Sequence, residues 1–452
     1  MNKDSFFNNL NNIFDKSSIK FDIPNKEKYR NDWSTSLDSD PIAVVFPTQV
    51  EQIIDVIKLC NEFNHPLVPS GGRTGLSGGA SATSNELIVS FDKMNKILEF
   101  DDSSNTVLCQ PGLITQNLQS FADENNLYYP VDFSSSGSSQ LGGNIATNAG
   151  GIRVIKYGST SSYVAGLCVV TGNGDYLSLD DMLIKNATGP DIKNFFIGCE
   201  GIYGLTTSCR IQLISKPEET KVILIGFDEI SSLDNISNLI LQFDIEAIEF
   251  FTRYALNQVN KEFNIDIDHL DNNYFLIIEF TDQKKFIDML ETLHNKGHAN
   301  EIIISTNNSQ KELIWQYRLL ISESISRSSP IKFDVAVPIK NISKLIIKLE
   351  CFFKENKKYT LILFGHLGDG NLHVNVLKNE GGCKPEDINF IEKNIHSIVL
   401  DLSGTLSAEH GIGLNKIKAF MHYENKTKID VIKNLKQFFD NKKILNPGKL
   451  VK

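Results

Sequence analysis

Apolar positions along the chain change period several times. Phe6, Phe7, Leu10 and Phe14 recur at helical spacing and predict a helical lead-in over residues 1–40, with the stripe packed into a core. Pro41 to Phe46 is a short apolar run expected as a strand. Thr48-Gln-Val-Glu51 has the form of a capping box opening an amphipathic helix to about Asn64. Strands are expected at Pro66–Pro69, Glu86–Phe91, Asn105–Gln110 and near Ile211–Ile214, with a helix from Thr115 to Asn126. After Lys216-Pro217 the pattern shifts. Glycine becomes sparse, and apolar runs such as Val222–Phe227 and Asn272–Phe280 alternate with amphipathic helices such as Lys340–Phe353, which predicts an α+β region with an antiparallel sheet. Ile429–Phe439 is expected as a final helix, closed by the turn Leu445-Asn-Pro-Gly448.

Three glycine-rich segments interrupt the first half. Ser70 to Gly79 holds five glycines in ten residues, and glycine removes the side chains that keep a ligand away from main-chain amides, so this loop is a candidate anion nest. It is short, contains Arg73 and lies between apolar segments, unlike a flexible linker. Neither a dinucleotide fingerprint nor a Walker loop fits it. Ser134 to Gly151 is dominated by small residues but punctuated by Leu141, Ile145, Ala146 and Ala149, as a packed segment around a large flat ligand would be. Phe196 to Gly204 repeats the theme. Together they imply one extended ligand threaded between subdomains.

Three of the nine histidines fall in two other glycine-flanked stretches. Phe364 to Val376 reads as strand, glycine turn, strand, bringing His366 near His373, with Asn375 on the face of His373. Ser407 to Gly413 supplies Glu409 and His410. Two imidazoles and a carboxylate with an open position form the ligand set of a catalytic divalent metal, zinc by default; hydrogen-bonded structural histidines are the competing reading of the spacing.

Composition narrows the class. A chain of 452 residues exceeds one core and predicts two or three domains, and 41% hydrophobic with 22% charged residues is ordinary for a globular protein. A net charge of -10 argues against nucleic acid as a partner. Seven scattered cysteines fit free thiols in a reducing compartment, and with no signal, transit or transmembrane pattern a cytoplasmic location is expected.

The motifs Pro69-Ser-Gly-Gly-Arg-Thr-Gly75, Leu141-Gly-Gly-Asn-Ile-Ala-Thr-Asn-Ala-Gly-Gly151, Ile197-Gly-Cys-Glu-Gly-Ile-Tyr-Gly204, Gly365–His373, Ser407–Gly413 and Leu445–Gly448, in this order, resemble the FAD-linked D-2-hydroxyacid dehydrogenases of the vanillyl-alcohol-oxidase flavoprotein superfamily. The resemblance runs from about residue 30 to the C-terminus. After the lead-in over 1–40 it implies a two-subdomain FAD-binding domain over 41–216, an α+β cap carrying substrate over 217–400, and a segment 401–452 returning to the flavin.

Residue by residue, the resemblance implies that Ser70, Gly71, Gly72, Arg73, Thr74 and Gly75 hold the pyrophosphate of FAD. Ser138, Gly142, Asn144, Thr147, Asn148 and Gly151 would line the isoalloxazine and ribityl region, and Glu200, Gly201 and Gly204 would close the adenosine side. Arg73 stands near where covalent relatives carry a flavin-linked histidine, so FAD is expected to be non-covalent. His366, His373 and Glu409 are the implied ligands of zinc or manganese, His410 the catalytic base, and Asn375 a substrate-orienting group. Arg318 and Lys332 are implied to face substrate carboxylates, with Ser322 one helical turn after Arg318.

A second cation favours a dicarboxylate, so D-2-hydroxyglutarate is the expected substrate, with D-lactate, D-malate and glycolate as alternatives. Electrons are expected to pass to an electron-transfer flavoprotein, a quinone or a cytochrome. A flavin subunit within a glycolate oxidase-like complex is an alternative reading of the same motifs, and a homodimer is the oligomer considered. A flavin-free metallohydrolase would leave all three glycine segments without a role.

Overall fold

The computed structural model describes residues 3–34, 37–183, 185–265, 270–281, 284–379 and 381–451. It divides into two compact units, one of residues 1–150, 159–216 and 409–452, the other of residues 151–158 and 217–408.

The first unit holds two principal sheets. In the smaller, Ile19–Lys20 pairs antiparallel with Ala43–Val45, which runs parallel to Leu87–Ser90, itself parallel to Leu67–Ser70. Phe6, Leu10 and Phe14 from the helix Lys3–Ile13 pack on this sheet with Ile53, Val56 and Ile57 from the helix Val50–Phe63, the packing expected of the N-terminal stripe. The start of that second helix differs from the expected capping box. Gln49 is the N-cap and makes no side-chain cap bond, whereas the Thr48 backbone N–H and hydroxyl both donate to Gln52 Oε1. Gln52, one position beyond Glu51, is the residue within reach.

The larger sheet is antiparallel and ordered Ile97–Asp101, Thr106–Cys109, Gly204–Gln212, Val164–Thr171, Tyr176–Leu179. The last helix, Lys426–Phe439, is tied to this unit by Lys436, whose ammonium donates to the carbonyls of Ile202 and Leu445 and to Asp440.

The second unit is built on one seven-stranded antiparallel sheet, in the order Glu301–Ile304, Thr220–Phe227, Tyr274–Thr281, Ile245–Thr252, Tyr359–His366, Asn371–Lys378, Ile331–Ala336. Both faces are covered, which is why its strands read as unbroken apolar runs. Ile223, Ile225, Ile248, Phe250, Leu363 and Val374 point to one core. Val222, Leu224, Ala247, Phe251, Ile362 and Phe364, the alternate positions, pack with Leu256, Ile314, Trp315 and Ile325 on the other.

Candidate active site

In the first unit a cavity is lined by Gly71 to Ser77, Gly79, Gln140, Gly142 to Asn144, Ala146, Thr147, Ala149, Gly150, Glu200, Gly201, Gly204, Glu409, His410 and Asn446, among others. The loop 71–75 leaves the C-terminal end of the strand Leu67–Ser70. A side chain at Gly72 is excluded, since its Cβ would sit 2.2 Å from the Ser138 carbonyl oxygen. At Gly143 a Cβ would meet nothing within 4 Å among the described residues. One glycine is therefore needed by the protein and the other keeps the cavity open. This is a surface made of backbone, suited to the phosphates and flat ring of a flavin nucleotide.

Of the cofactor residues implied by the motifs, Gly71 to Gly75, Gly142, Asn144, Thr147, Glu200, Gly201 and Gly204 border this cavity. Ser70 is buried at the end of its strand. Ser138 contributes its carbonyl against Gly72 and has an exposed side chain. Asn148 is left-handed, and its side-chain oxygen accepts from the Ser159 hydroxyl and the Ser161 N–H. Gly151 belongs to the short segment 151–158 of the second unit.

Two charged groups of the first unit are already engaged. Arg73, at φ 58°, donates to the Gly71 carbonyl at 2.7 Å and stacks over the Tyr29 ring, so its guanidinium braces the loop. Glu200, also left-handed, accepts the backbone N–H groups of Ile412 and Gly413 at 2.6 and 2.7 Å. Burial pushes its carboxyl pKa up, and those two bonds hold it down in part. Gly413 sits so close to Ser77 that a Cβ would lie 2.2 Å from its carbonyl oxygen. Glu200 and Gly413 thus fasten the turn that carries Glu409 and His410, whose Oε1 and Nε2 are 3.5 Å apart, beside the cavity.

The second unit carries a contrasting cluster of side chains on one sheet face. The hairpin Tyr359–His366 to Asn371–Lys378 turns through Leu367–Asp369 and Gly370 at φ 82°, and sets His366 Nε2 3.4 Å from His373 Nε2. Register places a carboxylate on the strand next to each imidazole, Glu249 opposite His366 and Asp334 opposite His373. His366 Nδ1 lies 2.7 Å from Glu249 Oε1, and His373 Nδ1 lies 3.8 Å from Asp334 Oδ1. Lys332 pairs with Asn375 on the same face. Desolvation lowers the Lys332 ammonium pKa although its side chain reaches the surface.

Arg318 is buried over the Phe364 ring, with Nη2 2.7 Å from Glu249 Oε2. Ser322 is exposed on the helix Ile321–Ser326. Of the implied metal ligands, His366 and His373 come together in the second unit, and Glu409 belongs to the first. Glu249 and Asp334 escape a reading of the sequence because neither stands in a motif. Asp32 and Asn446 also border the cavity. Asn446 donates to the carbonyls of Gly79 and Glu200, a role hidden within the closing turn Leu445–Gly448.

Comparison with known proteins agrees with this architecture. The FAD binding domain model matches residues 41–180, and the model for the C-terminal domain of FAD linked oxidases matches residues 216–450. The chain therefore belongs to the FAD-linked oxidase family. It is similar to D-2-hydroxyglutarate dehydrogenase of Stutzerimonas stutzeri (strain A1501), with 36% identity over 100% of this chain and 99% of the relative. Similarity extends to the glycolate oxidase subunit GlcD of Bacillus subtilis (strain 168), at 32% identity over 93% of this chain and 91% of the relative. Among solved structures, 4-ethylphenol oxidase from Gulosibacter chungangensis superposes with a TM-score of 0.76 at 15% identity, covering 99% of this chain and 96% of that one. p-Cresol methylhydroxylase gives 0.75 at 16%, over the same shares of the two chains. These two likenesses concern the fold alone.

Proposed function

We propose that the protein is an FAD-dependent dehydrogenase of D-2-hydroxy acids that acts on D-2-hydroxyglutarate, giving the 2-oxo acid. The observation that carries the dicarboxylate assignment is Lys332. It stands opposite Asn375 on the sheet face of His366 and His373, a second cation that a substrate with one carboxylate would not engage. The full-length likeness to a D-2-hydroxyglutarate dehydrogenase supports the same choice.

When bound, FAD supplies the hydride acceptor and a divalent ion, zinc or manganese, a Lewis acid for the hydroxyl group. The glycine loops fit the first group through the open backbone at Gly143 and the loop 71–75. The imidazole pair fits the second. Ligands at about 2.0–2.1 Å in tetrahedral arrangement lie roughly 3.3–3.4 Å apart, close to the observed Nε2 separation of 3.4 Å. Glu409 is the third ligand by resemblance.

His410 removes the hydroxyl proton, a role its place on the cavity wall supports. Lys332 binds the distal carboxylate and Asn375 orients the substrate. Arg318 binds a carboxylate through Nε–H, which is buried and makes no hydrogen bond among the described residues, while Nη2 stays with Glu249. Ser322, exposed on its helix, is assigned to the substrate region by resemblance. Electrons leave to an electron-transfer flavoprotein, a quinone or a cytochrome, and the expected setting is cytoplasmic.

Anaerobic mixing of the flavin-loaded protein with D-2-hydroxyglutarate, D-malate, D-lactate, glycolate and the L-isomers tests the proposal. Rapid bleaching by the D-dicarboxylates, abolished by EDTA and restored by zinc or manganese, is the expected result. Bleaching by lactate or glycolate alone would overturn the dicarboxylate assignment, and bleaching indifferent to EDTA would overturn the metal. A flavin that none of these acids reduces would overturn the dehydrogenase reading of the isolated chain.

A further inference from the structure

We infer that Glu249, held by Arg318, is a positioning residue that fixes the tautomer and ring angle of His366. Glu249 is fully buried in a central strand, 117 residues from His366 in sequence, and lies opposite it in register. Its two oxygens face two partners. Oε1 lies 2.7 Å from His366 Nδ1, and Oε2 lies 2.7 Å from Arg318 Nη2.

A buried carboxylate without a counter-charge would take up a proton or leave the core. The guanidinium of Arg318, itself 5% exposed, supplies that counter-charge. An ionised Glu249 can only accept, so the proton of a neutral His366 ring stays on Nδ1 and the lone pair faces outward from Nε2, towards His373 Nε2. Carboxylates behind ligating imidazoles raise ligand basicity and hold ring orientation, and their loss typically weakens metal binding by about 10–100-fold.

The consequence for Arg318 is a double role. It is a carboxylate-binding residue at Nε and, through Nη2, part of the support of the metal-binding ring. This deepens the metal reading above and rests on it.

The experiment uses the flavin-loaded full chain. Affinity for cobalt(II), read by its visible ligand-field bands under chelator competition, is compared in wild type, Glu249→Gln and Arg318→Lys, with flavin content and melting temperature as folding controls. The expected result is affinity weakened about 10–100-fold by E249Q and less by R318K, with flavin retained.

Wild-type protein that takes up no cobalt would overturn the metal reading. Cobalt bound equally by wild type and E249Q would overturn the role of Glu249 while the metal reading stands. Should E249Q fail to fold, the metal-free wild type decides. Nitrogen chemical shifts of labelled histidine, assigned with His366→Gln, should show His366 protonated at Nδ1, and protonation at Nε2 would overturn the inference.

Discussion

The two units solve recognition in opposite ways. In the first, the cavity is lined chiefly by main chain and small residues. Its charged members Arg73 and Glu200 are engaged in bracing loops. In the second, one sheet face concentrates side chains that carry or lose charge, each imidazole opposite a buried carboxylate. A backbone surface tolerates no added side chain but is insensitive to nearby titration. A side-chain cluster tolerates changes of shape but depends on every partner keeping its charge.

The largest break in this comparison is expected from Gly72→Ala. Its Cβ would strike a main-chain carbonyl, so the loop must shift, and flavin affinity should fall on the order of 100-fold or more, about 3 kcal/mol. Gly143→Ala sharpens the point. Nothing among the described residues opposes that Cβ, so melting temperature should stay near wild type while flavin affinity drops by about tenfold. Flavin absorbance of the purified proteins under dilution checks both.

A further large effect is expected from Glu200→Gln, a place where the backbone cavity leans on a charge. Losing charge-assisted bonds to Ile412 and Gly413, each worth about 1.5–3 kcal/mol, loosens the turn carrying His410. Flavin content should persist, and stopped-flow reduction by substrate should slow by about 10–100-fold. Lys332→Ala should raise the KM for the dicarboxylate by roughly tenfold and leave D-lactate reduction rates nearly unchanged, as steady-state comparison of the two acids would show.

The smallest effect concerns the second unit at a distance from its cluster. The Lys378 ammonium, with the Tyr359 hydroxyl and Lys384 N–H, holds the Asp387 carboxyl well below its usual range. A depressed carboxylate contributes stability that is present above its unfolded pKa and lost as pH falls through the folded one. Asp387→Asn should therefore lower the melting temperature by a few degrees at pH 7, as calorimetry would record, with the difference from wild type closing in strong acid.

Local chemistry in the chain was enough to expose much of this. Crowded glycines announce a backbone surface wherever they fall, because no other residue leaves main-chain amides so bare. The sequence by itself also determined the hairpin that joins His366 to His373, since seven residues with a glycine turn leave few other paths. Alternating and unbroken apolar runs likewise determined an antiparallel α+β second half.

Tertiary structure alone decided what stands behind those residues. Strand order in a seven-stranded sheet is set by long-range pairing, so nothing near Glu249 or Asp334 in the chain marks them as partners of His366 and His373. The same holds for Arg73, Arg318 and Glu200, whose charges are committed to loop, carboxylate and backbone. A side chain's type states which bonds it can make, and only its neighbours in space determine which of them it has already made.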